Sequence, residues 1–455
     1  MNDLRKNQIF EFVRNSHFVK VVLIGFLVLL LQIPIVKIKG VIKERRQTRE
    51  NAIKEVNSKW GESQVLTGPC IVVPYSKSNQ SGNRSSTQSN TSWAVFLPET
   101  LKISGRLNSQ LLYRGIYGIP VYKMLLDVKG NFVAPDFSEW NIDENDILWD
   151  KAYLSLNVTD AWAIAKSPDL LWNNKKMNFL PGAGEFDNNK QGFNVKLRDN
   201  LKDSNFDFSF SMELNGSSGA YFIPFGRDTE VQLTSDWSSP SFQGTTLPTS
   251  RSINSDGFSA TWNVPFLSRS YPQKWLAFSN PNQDNAIEAS GFGVEMISPV
   301  DQYSMSQRSV KYHILFLVLT FATLWLFEIL AKIRVHPMQY LFVGMGMCMF
   351  YLLELSLAEH LGFIQAYSIA SASVVILVTS YSAAILKARK RALIVGAVVT
   401  LLYVYLYILL MIEDYALLAG SIGLFVVLAA IMFLTRKVDW YYLTDAVIPK
   451  GNDRN

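Results

Sequence analysis

Apolar residues in this chain gather into runs long enough to cross a lipid bilayer, and those runs occur only near the N-terminus and after Tyr312. A helix needs roughly 20 apolar residues to traverse the hydrocarbon core. The candidate segments are Phe18 to Val36, then about 312–331, 338–358, 363–386, 392–412 and 416–435. Between the first run and the others lies a polar, aromatic stretch rich in Ser and Asn. A chain divided in this way has two solvents to satisfy. The sequence therefore predicts a polytopic α-helical membrane protein with six transmembrane helices and a large β-rich (α+β) domain outside the cytoplasm. The 49% hydrophobic content averages two unlike parts and describes neither.

The first run is not followed by a small-residue cleavage site but by Lys37 and Lys39, so it reads as an uncleaved anchor. The later loops are short, which makes consecutive helices antiparallel neighbours. Lys332, Arg334 and His336 fall in one loop, Lys387, Arg389, Lys390 and Arg391 in another, and Arg436 and Lys437 follow the last run. The alternate loops carry Glu359 with His360, and Glu413 with Asp414. Basic loops stay in the cytoplasm, so both termini are expected inside and the large domain outside. The basic run Lys43 to Arg49 belongs to a long translocated domain, where charge counts for little. The expected boundaries are 1–39 for the N-terminus and first span, 40–311 for the periplasmic domain, 312–436 for a five-helix bundle and 437–455 for a cytoplasmic tail.

Residues 41–60 read as a helix, with Ile42, Ile53 and Val56 on an apolar side and Glu44, Arg45, Arg46 and Arg49 wet. After Trp60-Gly61 the period changes to two. Phe206, Phe208, Phe210, Met212 and Leu214 alternate with polar residues, the pattern of a half-buried strand. Similar alternation at 154–158, 193–197, 231–237, 258–262 and 292–296, separated by turn signals such as Asn215-Gly216 and Pro181-Gly182, suggests a sandwich or a strongly bent sheet. Residues 76–92 are low-complexity and read as a loop between two strands. Cys70 and Cys348 lie in unlike surroundings, so no disulfide framework is legible. A domain of roughly 270 residues has ample core without one.

The chemistry is sparse. All histidines, His17, His313, His336 and His360, fall outside the expected domain, which excludes a Ser-His-Asp or Cys-His site within it. Cys70 reads as a small buried residue. Gly182-Ala183-Gly184 reads as a turn rather than a phosphate loop, since no strand–helix context surrounds it. The slight basic excess is that of a membrane protein, with no nucleic-acid signature, and no cofactor motif is present. Intramembrane carboxylates point to transport, yet Glu328 and Glu354 lie about one turn from the ends of their helices and the helix centres carry no ionisable residue. His313, Glu359, His360, Glu413 and Asp414 form a candidate outer-face cluster, without the ligand spacing of a known metal motif. Met345, Met347 and Met349 around Cys348 do not share a helical face, so ordinary packing is expected there, with Gly344 and Gly346 allowing close helix contact. A functional motif is sought first at Glu328 and at His336, Pro337, Gln339 and Tyr340. Pro337 suits a first helical turn, and Gln339 and Tyr340 suit an interfacial belt.

Several blocks resemble one family in order along nearly the whole chain. They are ERRQTRENAIKEV, WGESQVLTGPCIVVP at Trp60 to Pro74, FLPETLKI, RGIYGIPVY at Arg114 to Tyr122, SFQG and SPVDQYSMSQRSVKY. FEILAKIRVHPMQYLFVG at Phe327 to Gly344, AEHLGF and MFLTRKVDWY complete the set. The chain resembles the CreD family of bacterial inner-membrane proteins. The resemblance implies a role in cell-envelope integrity, colicin tolerance and the envelope response to β-lactams in Gram-negative bacteria, and carries over no catalytic residue. Where the family is expected to show Asp-x-Arg-Gly-Ile, this chain has Asp160-Ala161-Trp162-Ala163-Ile164. The favoured reading is a non-enzymatic protein whose domain binds an envelope or periplasmic partner, with membrane lipids around its helices and Arg114, Tyr117 and Tyr122 as candidate partner contacts. The alternatives are a membrane enzyme using the outer His/acid cluster and a transporter.

Overall fold

The computed structural model describes residues 17–77, 90–187, 191–197, 201–202, 205–278, 281–296, 301–331, 333, 335–412 and 415–436. Most of the 76–92 segment and the 437–455 tail lie outside the described residues. The chain forms two compact units, one from Met1–Arg49 with Val300–Asn455 and one from Glu50–Pro299. These packing boundaries fall about ten residues from the expected bilayer boundaries.

The helices are α1 (His17–Leu30), α2 (Gln32–Trp60), α3 (Gln283–Ala289), α4 (Gln302–Lys311), α5 (His313–Ala331), α6 (Pro337–Leu361), α7 (Phe363–Leu386), α8 (Arg389–Met411) and α9 (Ala416–Thr435). The anchor and the amphipathic helix expected after it form one helical run, Val19–Trp60, interrupted only at Leu31. Pro34 has no N–H to give the Leu30 carbonyl, which accounts for a break at that point. The Gln32 side chain donates to the Val28 carbonyl at 3.0 Å and patches the ladder. Among the described residues, four helices are long and apolar enough to span a membrane: Val19–Trp60, α6, α7 and α8. The pair α4 and α5, bent by 45°, makes a fifth if counted as one span, and α9 contributes only the shorter apolar stretch Leu417–Ala430.

Gly362, at φ 80°, turns the chain between α6 and α7. Gly344 permits the close approach expected of it: a Cβ there would lie 2.3 Å from Leu31 Cδ1 and 2.8 Å from Phe321 Cζ. Gly346 does not, since its Cβ would make only an ordinary 3.4 Å contact. Met347 is buried while Met345 and Met349 are exposed, as helical spacing requires.

The second unit is a sandwich of two sheets. The first orders Pro240–Gly244, Phe292–Met296, Gly219–Phe222, Gln64–Lys77, Tyr153–Val158, Gly192–Lys196 and Leu180–Pro181, with Asn90–Phe96 on Gln64–Lys77 and Lys274–Leu276 beyond it. The second orders Ser250–Asn254, Gly257–Pro265, Asp228–Ser235, Thr100–Arg114, Tyr117–Phe132, Phe206–Ser217, Asp169–Trp172 and Lys175–Asn178. Most neighbours are antiparallel. Gln64–Lys77 runs parallel to Gly219–Phe222, and Thr100–Arg114 parallel to Asp228–Ser235. Alternate residues of both sheets fill one core, into which Phe206, Phe208, Phe210, Met212 and Leu214 point as their pattern predicts. Trp262, from the second sheet, meets Phe242 and Phe292 of the first, each at 5.7 Å between ring centres.

Asn215-Gly216 is not a turn. Both residues pair with Lys123 and Tyr122 inside a strand. The missing Cβ of Gly216 makes room for the Tyr122 ring, whose hydroxyl would lie 2.4 Å from it. The chain instead bends at Ser218 (φ 60°) and passes from the second sheet to the first.

On the surface of this unit Lys274 donates to Asp136 at 2.9 Å and lies 3.3 Å from Glu139. That hydrogen bond, with those from Ser138, holds the Asp136 carboxyl down to about 2. The folded value is below the unfolded one. The contribution is therefore complete above the ordinary aspartate range, about pH 4, and is lost as pH falls through the folded value. With the Asp136 side chain 59% exposed, solvent screening keeps the effect below about 1 kcal/mol. Asp136→Asn is expected to flatten the acid limb of a denaturation-versus-pH curve by that small amount. An unchanged limb would refute the assignment.

Candidate functional site

The helical unit holds the buried charge. Glu328, on α5, is 4% exposed. Its Oε1 accepts from the Lys20 ammonium of α1 and from the Val335 N–H at 3.1 Å, and its Oε2 accepts from the Tyr340 hydroxyl of α6 at 3.1 Å. One carboxylate thus ties α1, α5, the α5–α6 connection and α6 together. The His336-Pro337-Met338-Gln339-Tyr340 block is explained by the start of α6. His336 Nδ1 accepts the Met338 N–H at 3.2 Å, and the Gln339 side chain accepts the His336 N–H at 2.9 Å. Pro337 occupies the first turn, where no donor is needed. Tyr340 is 1% exposed and so does not sit in an interfacial belt. The partner that sequence reasoning missed is Lys20. The signal was a lone basic residue inside an apolar run, which calls for a counter-charge.

A second polar arrangement runs along α4, which the sequence marked only as a resemblance block. Asp301 caps α4, accepting the Tyr303 N–H at 3.3 Å and the Ser304 hydroxyl at 2.6 Å. It also lies 3.5 Å from Arg49 Nη1. Arg49 is therefore not on a wet face, because part of the Lys43–Arg49 run is neutralised within this unit. Glu359 of α6 accepts from the Tyr303 hydroxyl at 3.0 Å and lies 3.7 Å from Arg45 Nε. Deeper along the same helices, the Ser306 hydroxyl donates to Glu354 Oε1 at 3.0 Å.

Of the expected outer-face cluster, the described members His313, Glu359 and His360 form no common metal-holding group. His313 is spent on the Val310 carbonyl at 2.7 Å and the Gln32 amide oxygen at 2.6 Å. Glu359 is held as above, His360 is exposed, and Glu413 and Asp414 lie outside the described residues. Among the described residues no group of three or more His, Cys, Asp or Glu is placed to hold a metal ion.

The partner-contact block also needs correction. Tyr122 is fully buried and donates to the Gly219 carbonyl at 2.6 Å. Tyr117 is buried as well. A strand's side chains alternate, so a block of consecutive residues cannot all face outward. The exposed apolar residues at this hairpin tip are Leu111, Tyr113 and Ile116. Arg114 is exposed but is clamped to Glu55 by Nε and Nη2 at 3.1 and 2.9 Å. Lys59 and Arg114 together hold the Glu55 carboxyl below its ordinary range.

A family model described as "Inner membrane protein CreD" matches residues 16–441. A protein of Escherichia coli (strain K12) with that same name is 33% identical over 419 residues, 91% of each chain. The chain belongs to the CreD family. As a CreD-family chain it is an inner-membrane protein, in keeping with its several apolar helices. The stretch Asp160-Ala161-Trp162-Ala163-Ile164 has a local structural setting. Asp160 Oδ2 accepts the Glu62 N–H at 2.7 Å and so holds the entry to strand Gln64–Lys77, while Trp162 is exposed.

Proposed function

We propose that this CreD-family protein crosses the inner membrane six times with both termini cytoplasmic. Its sandwich lies in the periplasm and helps maintain the cell envelope by binding a periplasmic or envelope partner. The alternation of basic and acidic loops supports the orientation. Impermeant thiol labelling in intact spheroplasts is expected to reach a cysteine placed at position 150 but not one at 389, and the reverse pattern would overturn the orientation.

The observation that carries the binding reading is the tip of the Thr100–Arg114/Tyr117–Phe132 hairpin. Leu111, Tyr113 and Ile116 project apolar surface there, while the neighbouring Arg114 is fixed by Glu55. Exposed apolar residues grouped on a rigid element are typical of interaction sites. Tyr113→Ser with Ile116→Ser is expected to leave the membrane level intact. It should cost about 2 kcal/mol of partner affinity, roughly 30-fold, read as lost survival under envelope stress. Undiminished protection by a well-expressed double variant would defeat this reading.

A further inference from the structure

Two carboxylates are buried in the helical unit, and they are neutralised differently. Glu328 has the Lys20 ammonium, a backbone N–H and a tyrosine hydroxyl. Glu354 is fully buried, and among the described residues no Lys, Arg or His lies within ion-pair distance of it. Its Oε1 receives one hydrogen bond, from Ser306, and its Oε2 receives none. Ser309, one turn further along α4, is also fully buried. Its hydroxyl has no hydrogen-bond partner.

A bare carboxylate in such a place is strongly disfavoured. A divalent cation requires several oxygen ligands, usually more than one of them carboxylate, and Glu354 is a single carboxylate. One proton on Oε2 removes the charge.

Further polar groups follow in the same seam. Ser306 meets Glu354 and, one turn back on α4, Tyr303 meets Glu359. Glu359 in turn meets Arg45, whose side chain is 49% exposed. Hydroxyl and carboxyl groups therefore line the α4–α6 contact from the buried carboxyl to the surface. The other groups facing Glu354 carry no formal charge: Tyr351 of α6, Tyr367 of α7 and Tyr403 of α8. Arg308 of α4 is bonded to the Leu409 carbonyl. On α1 and α5, Lys20 and Glu328 are bound to each other, and His313 is bound to Val310 and Gln32.

We propose that Glu354 is a proton-binding site, whose carboxylate takes a proton from the aqueous phase and returns it along the seam of Ser306, Tyr303 and Glu359. The exchange is a simple one, carboxylate plus proton giving carboxylic acid, and needs no other reactant. The site binds independently of any partner of the sandwich.

The test uses the full chain in lipid vesicles and dicyclohexylcarbodiimide, an apolar reagent that modifies protonated carboxyl groups in apolar surroundings. Peptide mapping is expected to find the label on Glu354 and not on the ion-paired Glu328. Labelling should fall about tenfold per pH unit once pH passes the midpoint of the carboxyl. Infrared difference spectra should show a carboxylic C=O band that titrates over the same range. Glu354→Gln, which keeps the shape and the Ser306 contact, should remove both label and band while the protein remains folded. A titrating band without label still supports the site, since it reports the proton directly. Absence of the band, a pH-independent label, or protection of Glu354 by sodium but not choline chloride would each overturn the proposal, the last by showing an alkali-cation site instead.

Discussion

Glu328→Ala is expected to destabilise the helical unit by about 3–5 kcal/mol, because it strands the Lys20 ammonium in a mostly apolar setting. The loss also frees the Val335 N–H and the Tyr340 hydroxyl, and each buried donor left unpaired adds to the cost. Lys20→Met alone is expected to be similarly harmful, since it leaves the buried carboxylate with only neutral donors, the Val335 N–H and the Tyr340 hydroxyl. The double variant Lys20→Met/Glu328→Leu should recover most of the loss, because a buried ion pair replaced by apolar side chains is often neutral in stability. Denaturant unfolding of purified protein in lipid nanodiscs, arranged as a double-mutant cycle, measures the coupling. If the double variant is as damaged as the sum of the singles, the two residues do not act as a pair.

Trp262→Ala in the sandwich is expected to cost about 3–5 kcal/mol through lost burial and the cavity left behind. Trp262 is fully buried and bridges the sheets through Phe242 and Phe292, so its removal opens the interface rather than one face of one sheet. Trp262→Phe keeps an aromatic ring between those partners and should cost clearly less. Tryptophan fluorescence is confounded by the substitution itself, so far-ultraviolet circular dichroism during urea unfolding of the full chain is the suitable readout. Equal midpoints for wild type and Trp262→Ala would show that the bridge contributes little.

Where one residue type satisfies one solvent, the sequence was readable. The apolar runs, the half-buried Phe206–Leu214 strand and the Gly344 contact follow from periodicity and size alone. Readings failed where a residue had two plausible uses. Asn215-Gly216 has the composition of a turn, but Gly216 is there because the Tyr122 ring needs its space. Tyr117, Tyr122 and Tyr340 read as surface aromatics, and each is buried, Tyr122 within the core of the sandwich. The pairing of Lys20 with Glu328 spans 308 residues of sequence, beyond any local pattern. The α4 seam was hidden for a related reason. Its serines and Tyr303 are polar enough to suggest a linker, and only the facing row of α6 gives them a purpose.

The parallel pairing of Gln64–Lys77 with Gly219–Phe222 has a temporal consequence. A central strand made early in synthesis must wait about 150 residues for one of its neighbours, and the strand Phe292–Met296 that extends the same sheet comes later still. Until then the Gln64–Leu66 end of that strand lacks this neighbour, although Ile71–Lys77 can already pair with Asn90–Phe96, and unpaired strand backbone is open to misassociation. The sandwich therefore depends on whatever shields nascent chain on its side of the lipid, and its yield should be more sensitive to loss of such holdase protection than that of the short-range helical hairpin α6–α7.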